Sequence, residues 1–267
     1  MSELPLWLIA VLLLAGFVLA AELGYLAHRR FGGRGESGET GDEGQVLSTA
    51  LLLLALLLGF TFSMALGRYD ERRGLVVAEA NDIGTAWLRA GLVETPAGAA
   101  LQARLAGYAE TRLAMVAAGE SEAAIDKVQG RGAIMRGEIW ALATAASAPI
   151  RTTAQGAALI DSINSVIDIA TTRETALDAR VPERVIGMLV TYAVVSAFLL
   201  GYVMAAFGTH HRAATTLLFT LLAMTIVLIL DLDRPRSGSI RVSQQPMIDL
   251  IADMKRSAPV PTTEEAR

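Results

Sequence analysis

The chain of 267 residues contains no cysteine, which excludes disulfides, thiolate metal sites and thiol nucleophiles. Charge is sparse and nearly balanced, with a formal net charge of −4. No Lys/Arg stripe offers a footprint for nucleic acid, so none is expected as a partner. Neither a P-loop nor a GxGxxG is present, and no Ser-His-Asp arrangement can be assembled. The histidines are His28, His210 and His211. The adjacent pair is read as a polar turn, because a metal site needs three or four ligands. No metal and no cofactor are expected, and no enzyme activity. Asp161 and Asp168, seven residues apart on one helix face, read as a solvated face. Strand-like alternation is missing throughout, so the fold is expected to be all-α. Apolar residues are plentiful at 53% of the chain, against about 45–50% for a soluble domain. The excess sits in four blocks.

Those blocks predict transmembrane helices at 4–27, 46–67, 184–209 and 213–230. Each is long enough to cross a hydrocarbon core of ~30 Å at about 1.5 Å per residue. Only a helix does so without exposing unpaired backbone groups to lipid. For the first block the alternative is a signal peptide, with Ala20-Ala21 as a cleavage-like region. The start, Met-Ser-Glu-Leu-Pro, lacks a positive n-region and the apolar run is long for an h-region, which favours a span. Glu22 interrupts this block near its end, where a carboxylate can reach the headgroups; an acid inside a span is also a functional candidate. Arginines near the span ends divide into two sets. Arg29, Arg30, Arg34 and Arg212 lie on one side. The larger set, Arg68, Arg72, Arg73, Arg180, Arg184, Arg234, Arg236 and Arg241, places the central part and both termini in the cytoplasm. The first helix argues the other way, since its arginines follow it. The expected location is a bacterial inner membrane, with the lipid bilayer as solvent.

Residues 28–45 read as a flexible polar loop rich in Gly, Glu and Ser. The second span carries no stop signal. Val76, Ala80, Ile83 and Trp87 keep helical spacing beyond it, so one helix is expected from about Val46 to about Ala90, roughly 65 Å long. Residues 68–183 then form a helical domain. Thr95-Pro96 reads as N-cap and first residue of a helix ending near Gly119. Ser121 is expected to cap a short helix reaching Gly130, and another follows from about Ala133 to Ala146. The last runs from about Gln155 to Asp178, and Pro182 opens the third span. In the tail, 231–267, Asp231 and Asp233 read as a cap at the span end, with cation binding as the alternative. Residues 240–246 look extended, and the end beyond Lys255 looks disordered.

The stretch LLGFTFSMALGRYDERRGLVVAEANDIG resembles the end of the pore helix of the bestrophin superfamily, through Gly59, Phe60, Arg68, Tyr69, Asp70, Asn81 and Asp82. INSVIDIATTRETALDARVP resembles the segment before that family's third span. The tail DLDRPRSG with IRVSQQP, at 231–246, resembles bacterial bestrophin-like domain proteins. The likeness covers approximately 46–250. It implies a homopentameric ion channel passing small inorganic ions, with an apolar neck of three residues spaced by four. The matching positions are Leu52, Leu56 and Phe60, flanked by Ser48 and Ser63. Spacing by four is consistent with one helix face. The sequence departs from the family where Asp70-Glu71-Arg72 replaces a Trp pair. It also lacks the acidic calcium-clasp run of animal members, so calcium activation does not carry over.

Two functions from different classes remain open. A passive channel predicts a symmetric ring and ion flux. A non-conducting scaffold or signalling component would instead bind a partner through residues 98–180, and would show no conductance.

Overall fold

In a computed structural model, residues 4–31, 39–117, 122–208, 211–236 and 238–257 are described. Their regular structure is entirely helical. The order is α1 (Leu6–Phe31), α2 (Glu39–Gly91), α3 (Pro96–Ala117), α4 (Glu122–Ser147), a 3-10 turn (Ala148–Ile150), α5 (Ala154–Asp178), α6 (Glu183–Ala206), α7 (Arg212–Leu232) and α8 (Gln245–Ser257). Four helical stretches are long and apolar enough to cross a membrane: Leu6–Phe31, Glu43–Gly91, Ala154–Ala206 and Arg212–Leu232. The chain divides into two compact units, with α2 passing from the first to the second at Tyr69–Asp70.

The first unit comprises residues 1–69, 180–234 and 238–240. Its core is built from one face of each helix: Ile9, Leu13 and Phe17 of α1, Leu189 and Ala193 of α6, and Phe219, Ala223 and Ile226 of α7. Leu54 and Ala65 of α2 complete it. Glycine decides how closely α1 and α6 pack. A Cβ on Gly24 would overlap the Phe198 carbonyl oxygen, and one on Gly201 the Ala21 carbonyl oxygen. Small residues give this kind of backbone contact between helices in lipid, where dispersion replaces the hydrophobic drive. After α7 the chain turns sharply around Asp231, which is 5% exposed. Its carboxylate accepts from the Ser239 amide at 2.6 Å and from the Ser239 hydroxyl. Asp233 accepts from the Val181 amide at 2.8 Å. Both carboxylates therefore serve as backbone caps.

The second unit comprises residues 70–179, 235–237 and 241–267. Its core joins Ile83 and Ala86 of α2, Leu101 and Leu105 of α3, Ile139 and Ala143 of α4, Leu159 and Ile163 of α5, and Met247 and Met254 of α8. The Thr95 side chain caps α3, accepting from the Gly98 amide at 3.1 Å. Thr153 does the same for α5, accepting from Gly156 at 3.2 Å.

Three local expectations give way. Instead of two short helices around Gly130, α4 is continuous from Glu122 to Ser147. Gly130 and Gly132 lie inside it, and neither takes a left-handed conformation; among the described residues only Gly208 does (φ 65°). Two helical glycines cost about 1 kcal/mol each, which the buried line Met135, Ile139, Ala143 offsets. The expected cap Ser121 lies outside the described residues. So do Gly119, His210, part of the 28–45 loop and the end of the tail, residues 258–267. Within that loop a helix already begins at Glu39. Finally, the tail carries a helix, α8. Pro246 sits in its first turn, where a missing N–H costs nothing, and Met247 and Met254 bury one face.

Candidate functional site

The α2 segment in the first unit carries the candidate site. Two faces of this helix differ sharply. Leu54, Thr61 and Ala65 are buried at 4% or less. Leu52 and Leu56 stand two residues either side of Leu54, which is about 200° around a helix. Gly59 and Ser63 stand likewise about Thr61. Leu52 is 70% exposed, Leu56 54% and Phe60 65%. Ser48, Gly59, Ser63 and Gly67 are exposed with them. A Cβ added at Gly59 or Gly67 would meet nothing within 4 Å. The face is thus an alternation of large apolar side chains with hydroxyls and bare backbone. The Ser48 hydroxyl donates to the Gly44 carbonyl at 2.9 Å, leaving its lone pairs outward.

The other residues singled out in the sequence lie off this line. Tyr69 packs against the first core, and Arg68 is half-buried. Further along α2, Asp70 and Asn81 are exposed and Asp82 is half-buried. Glu22 is held by Arg212 across two contacts, 3.1 and 3.3 Å, so its charge has a partner inside the first unit. His28 stacks edge-on against Tyr202 at 4.8 Å. Asp161 and Asp168 are exposed on α5.

A buried charge cluster in the second unit was not anticipated. Glu79 of α2 is fully buried and accepts from Arg112 Nε at 2.5 Å and from Arg173 Nη1. Arg112 also donates to Glu174 at 2.9 Å, and Arg136 to the same oxygen at 3.2 Å. Arg173 reaches Gln244 at 2.7 Å. Burial alone would lower the Arg112 guanidinium, but Glu79, Tyr108 and Glu174 outweigh it and hold Arg112 above its ordinary value. The guanidinium carbon lies 6.0 Å from the Tyr108 ring centre. Burial pushes the Tyr108 phenol up, against the pull of Arg112. The signal in sequence is that each charge extends an apolar line. Glu79 falls between Val76 and Ile83, Arg112 continues Leu101, Leu105 and Tyr108 at spacings of three and four, and Arg173 follows Ile163, Val166 and Ala170.

The family model of the bestrophin-like domain matches residues 14–247, most of the chain. The chain belongs to the bestrophin-like family. Its fold agrees with that of a solved relative, a bacterial bestrophin homologue from Klebsiella pneumoniae carrying a W252A mutation. The TM-score is 0.57 at 14% identity, over 92% of this chain and 94% of the other. Among curated proteins none matches the sequence. This bestrophin-like chain is therefore an all-α membrane protein with four candidate spans. The match at that identity carries the fold and leaves the roles of individual side chains to the chemistry of this sequence.

Proposed function

We propose that this bestrophin-like protein is a homo-oligomeric channel, pentameric as the family resemblance implies, that passes small inorganic ions passively. It would sit in a bacterial inner membrane with the 68–183 helical region and both termini in the cytoplasm, as the arginine distribution favours. The pore would be lined by α2, with Leu52, Leu56 and Phe60 as its neck and Ser48 and Ser63 flanking it. The carrying observation is the exposed face of α2, where three large apolar side chains alternate with serines and glycines. Hydroxyls and bare backbone beside large apolar side chains suit a pore wall, where water and ions meet the helix. Copies arranged around an axis stack the neck residues into apolar rings, which hold back ions by expelling water. The serines give ions polar contacts on either side. No catalysis is invoked; the protein acts by positioning a barrier.

The test is oligomer mass followed by ion flux. Native mass spectrometry of detergent-purified protein should give a pentamer, and liposomes carrying it should release a trapped permeant ion. Replacing Phe60 by Ala should raise that flux several-fold by thinning the neck. A stable monomer, or flux indifferent to both Leu56→Ala and Phe60→Ala, would remove the reading and leave the scaffold alternative.

A further inference from the structure

A cavity of about 350 Å³ lies in the first unit between the start of α6 and the end of α7. Its wall is sorted by polarity along the helices. Arg180, Glu183, Asp233 and Arg234 stand at one end, where α6 begins and α7 stops. Ile186, Gly187 and Val190 continue the wall into α6, and Leu230 continues it into α7. From Glu183 to Val190 is about 10 Å along the helix axis. Gly187 keeps this groove open. A Cβ there would meet nothing within 4 Å, whereas one at Gly24 or Gly201 would overlap a carbonyl of the facing helix. Glycine weakens a helix interior, and at Gly187 close packing within the first unit does not call for it. What the missing side chain provides is room on an exposed face.

We propose that this groove holds one phospholipid with a primary ammonium in its headgroup, as in phosphatidylethanolamine. A molecule charged at one end and apolar along the rest matches a wall sorted in the same way. Charged side chains at the end of a groove between spans are placed to meet a headgroup. Arg180 is exposed, and its planar guanidinium pairs two phosphate oxygens at once. Arg234 adds a second cation, positioned by donation to the Leu4 carbonyl at 2.8 Å. Asp233 is turned to the Val181 amide, so the exposed Glu183 is the carboxylate that meets the ammonium. An acyl chain lies along Ile186, Gly187 and Val190. Phosphatidylglycerol brings the phosphate without a cation for Glu183, and a quaternary choline has no N–H to donate to it. The site needs only that α6 and α7 cross the membrane, so it stands or falls apart from ion conduction.

The test is native mass spectrometry of delipidated full-length protein, titrated with phosphatidylethanolamine, phosphatidylglycerol and phosphatidylcholine of equal chain length. Phosphatidylethanolamine should bind most tightly, saturating at one molecule per chain. Gly187→Leu fills the groove and should weaken that binding at least about tenfold. Glu183→Gln leaves the apolar wall intact. It should abolish the preference for phosphatidylethanolamine over phosphatidylcholine, and it decides the matter should Gly187→Leu not fold. Arg180→Gln should weaken all three lipids. Equal affinity of the parent protein for phosphatidylethanolamine and phosphatidylcholine, or unchanged phosphatidylethanolamine binding in every folded variant, would overturn the proposal. So would a Gly187→Leu protein that keeps its lipid and loses its oligomer, since the groove would then belong to a second copy of the chain.

Discussion

At the scale of single residues, Glu79 is where charge and stability are most tightly coupled. One fully buried carboxylate engages two nearly buried guanidiniums. Replacing a buried ion network with apolar groups is often harmless, but removing one member is not, because the others stay buried and uncompensated. Glu79→Gln keeps the shape and removes the charge. It should destabilise the second unit by about 3–5 kcal/mol, seen as a lower thermal unfolding midpoint. Arg104 and Glu138 form an ion pair with side chains 37% and 44% exposed. Water and salt screen such a pair to ~0.2–1 kcal/mol, so Arg104→Ala should barely move the same midpoint. Equal losses for the two variants would show that burial does not set the cost here.

At the scale of helices, glycine has opposite meanings in α1 and α4. A Cβ at Gly24 meets the Phe198 carbonyl, whereas one at Gly130 meets nothing within 4 Å. Gly24→Leu should therefore separate α1 from α6 and lower the yield of folded protein. Gly130→Ala should stabilise by about 0.5–1 kcal/mol by reducing backbone entropy in the unfolded chain. Thermal unfolding of the two variants checks both signs. The same contrast explains what could be read in advance. The long α2 was legible because its apolar spacing continues past Arg68, and the α3 start because Thr95-Pro96 combines a cap with a fixed φ. The break expected near Gly130 was a local inference that tertiary packing overrode. The helix α8 was missed although Met247, Leu250, Ile251 and Met254 keep helical spacing after Pro246. A segment of 13 residues is marginal alone and is helical here because it buries Met247 and Met254.

At the scale of the whole molecule, the four apolar blocks made the membrane class plain, and residue order carried the family likeness. The proposed neck could not be read from periodicity, because an exposed leucine on a membrane helix looks the same whether it faces lipid, a partner or water. Only neighbours distinguish these cases, and in the proposed assembly they belong to other copies of the chain. Polarity at matched positions separates them. Leu56 on α2 and Leu217 on α7 are both well exposed, at 54% and 62%. If five Leu56 side chains close a ring, Leu56→Asn places five amides where water was expelled. The dewetting barrier then falls and ion flux in liposomes should rise at least several-fold. Leu217→Asn makes the same chemical change on a helix outside the proposed pore, so flux per assembled oligomer should stay at the parent value. Flux that rises equally in both variants would mean that a polar group anywhere makes the bilayer leak. Flux that rises only for Leu217→Asn would move the ion path from α2 to α7.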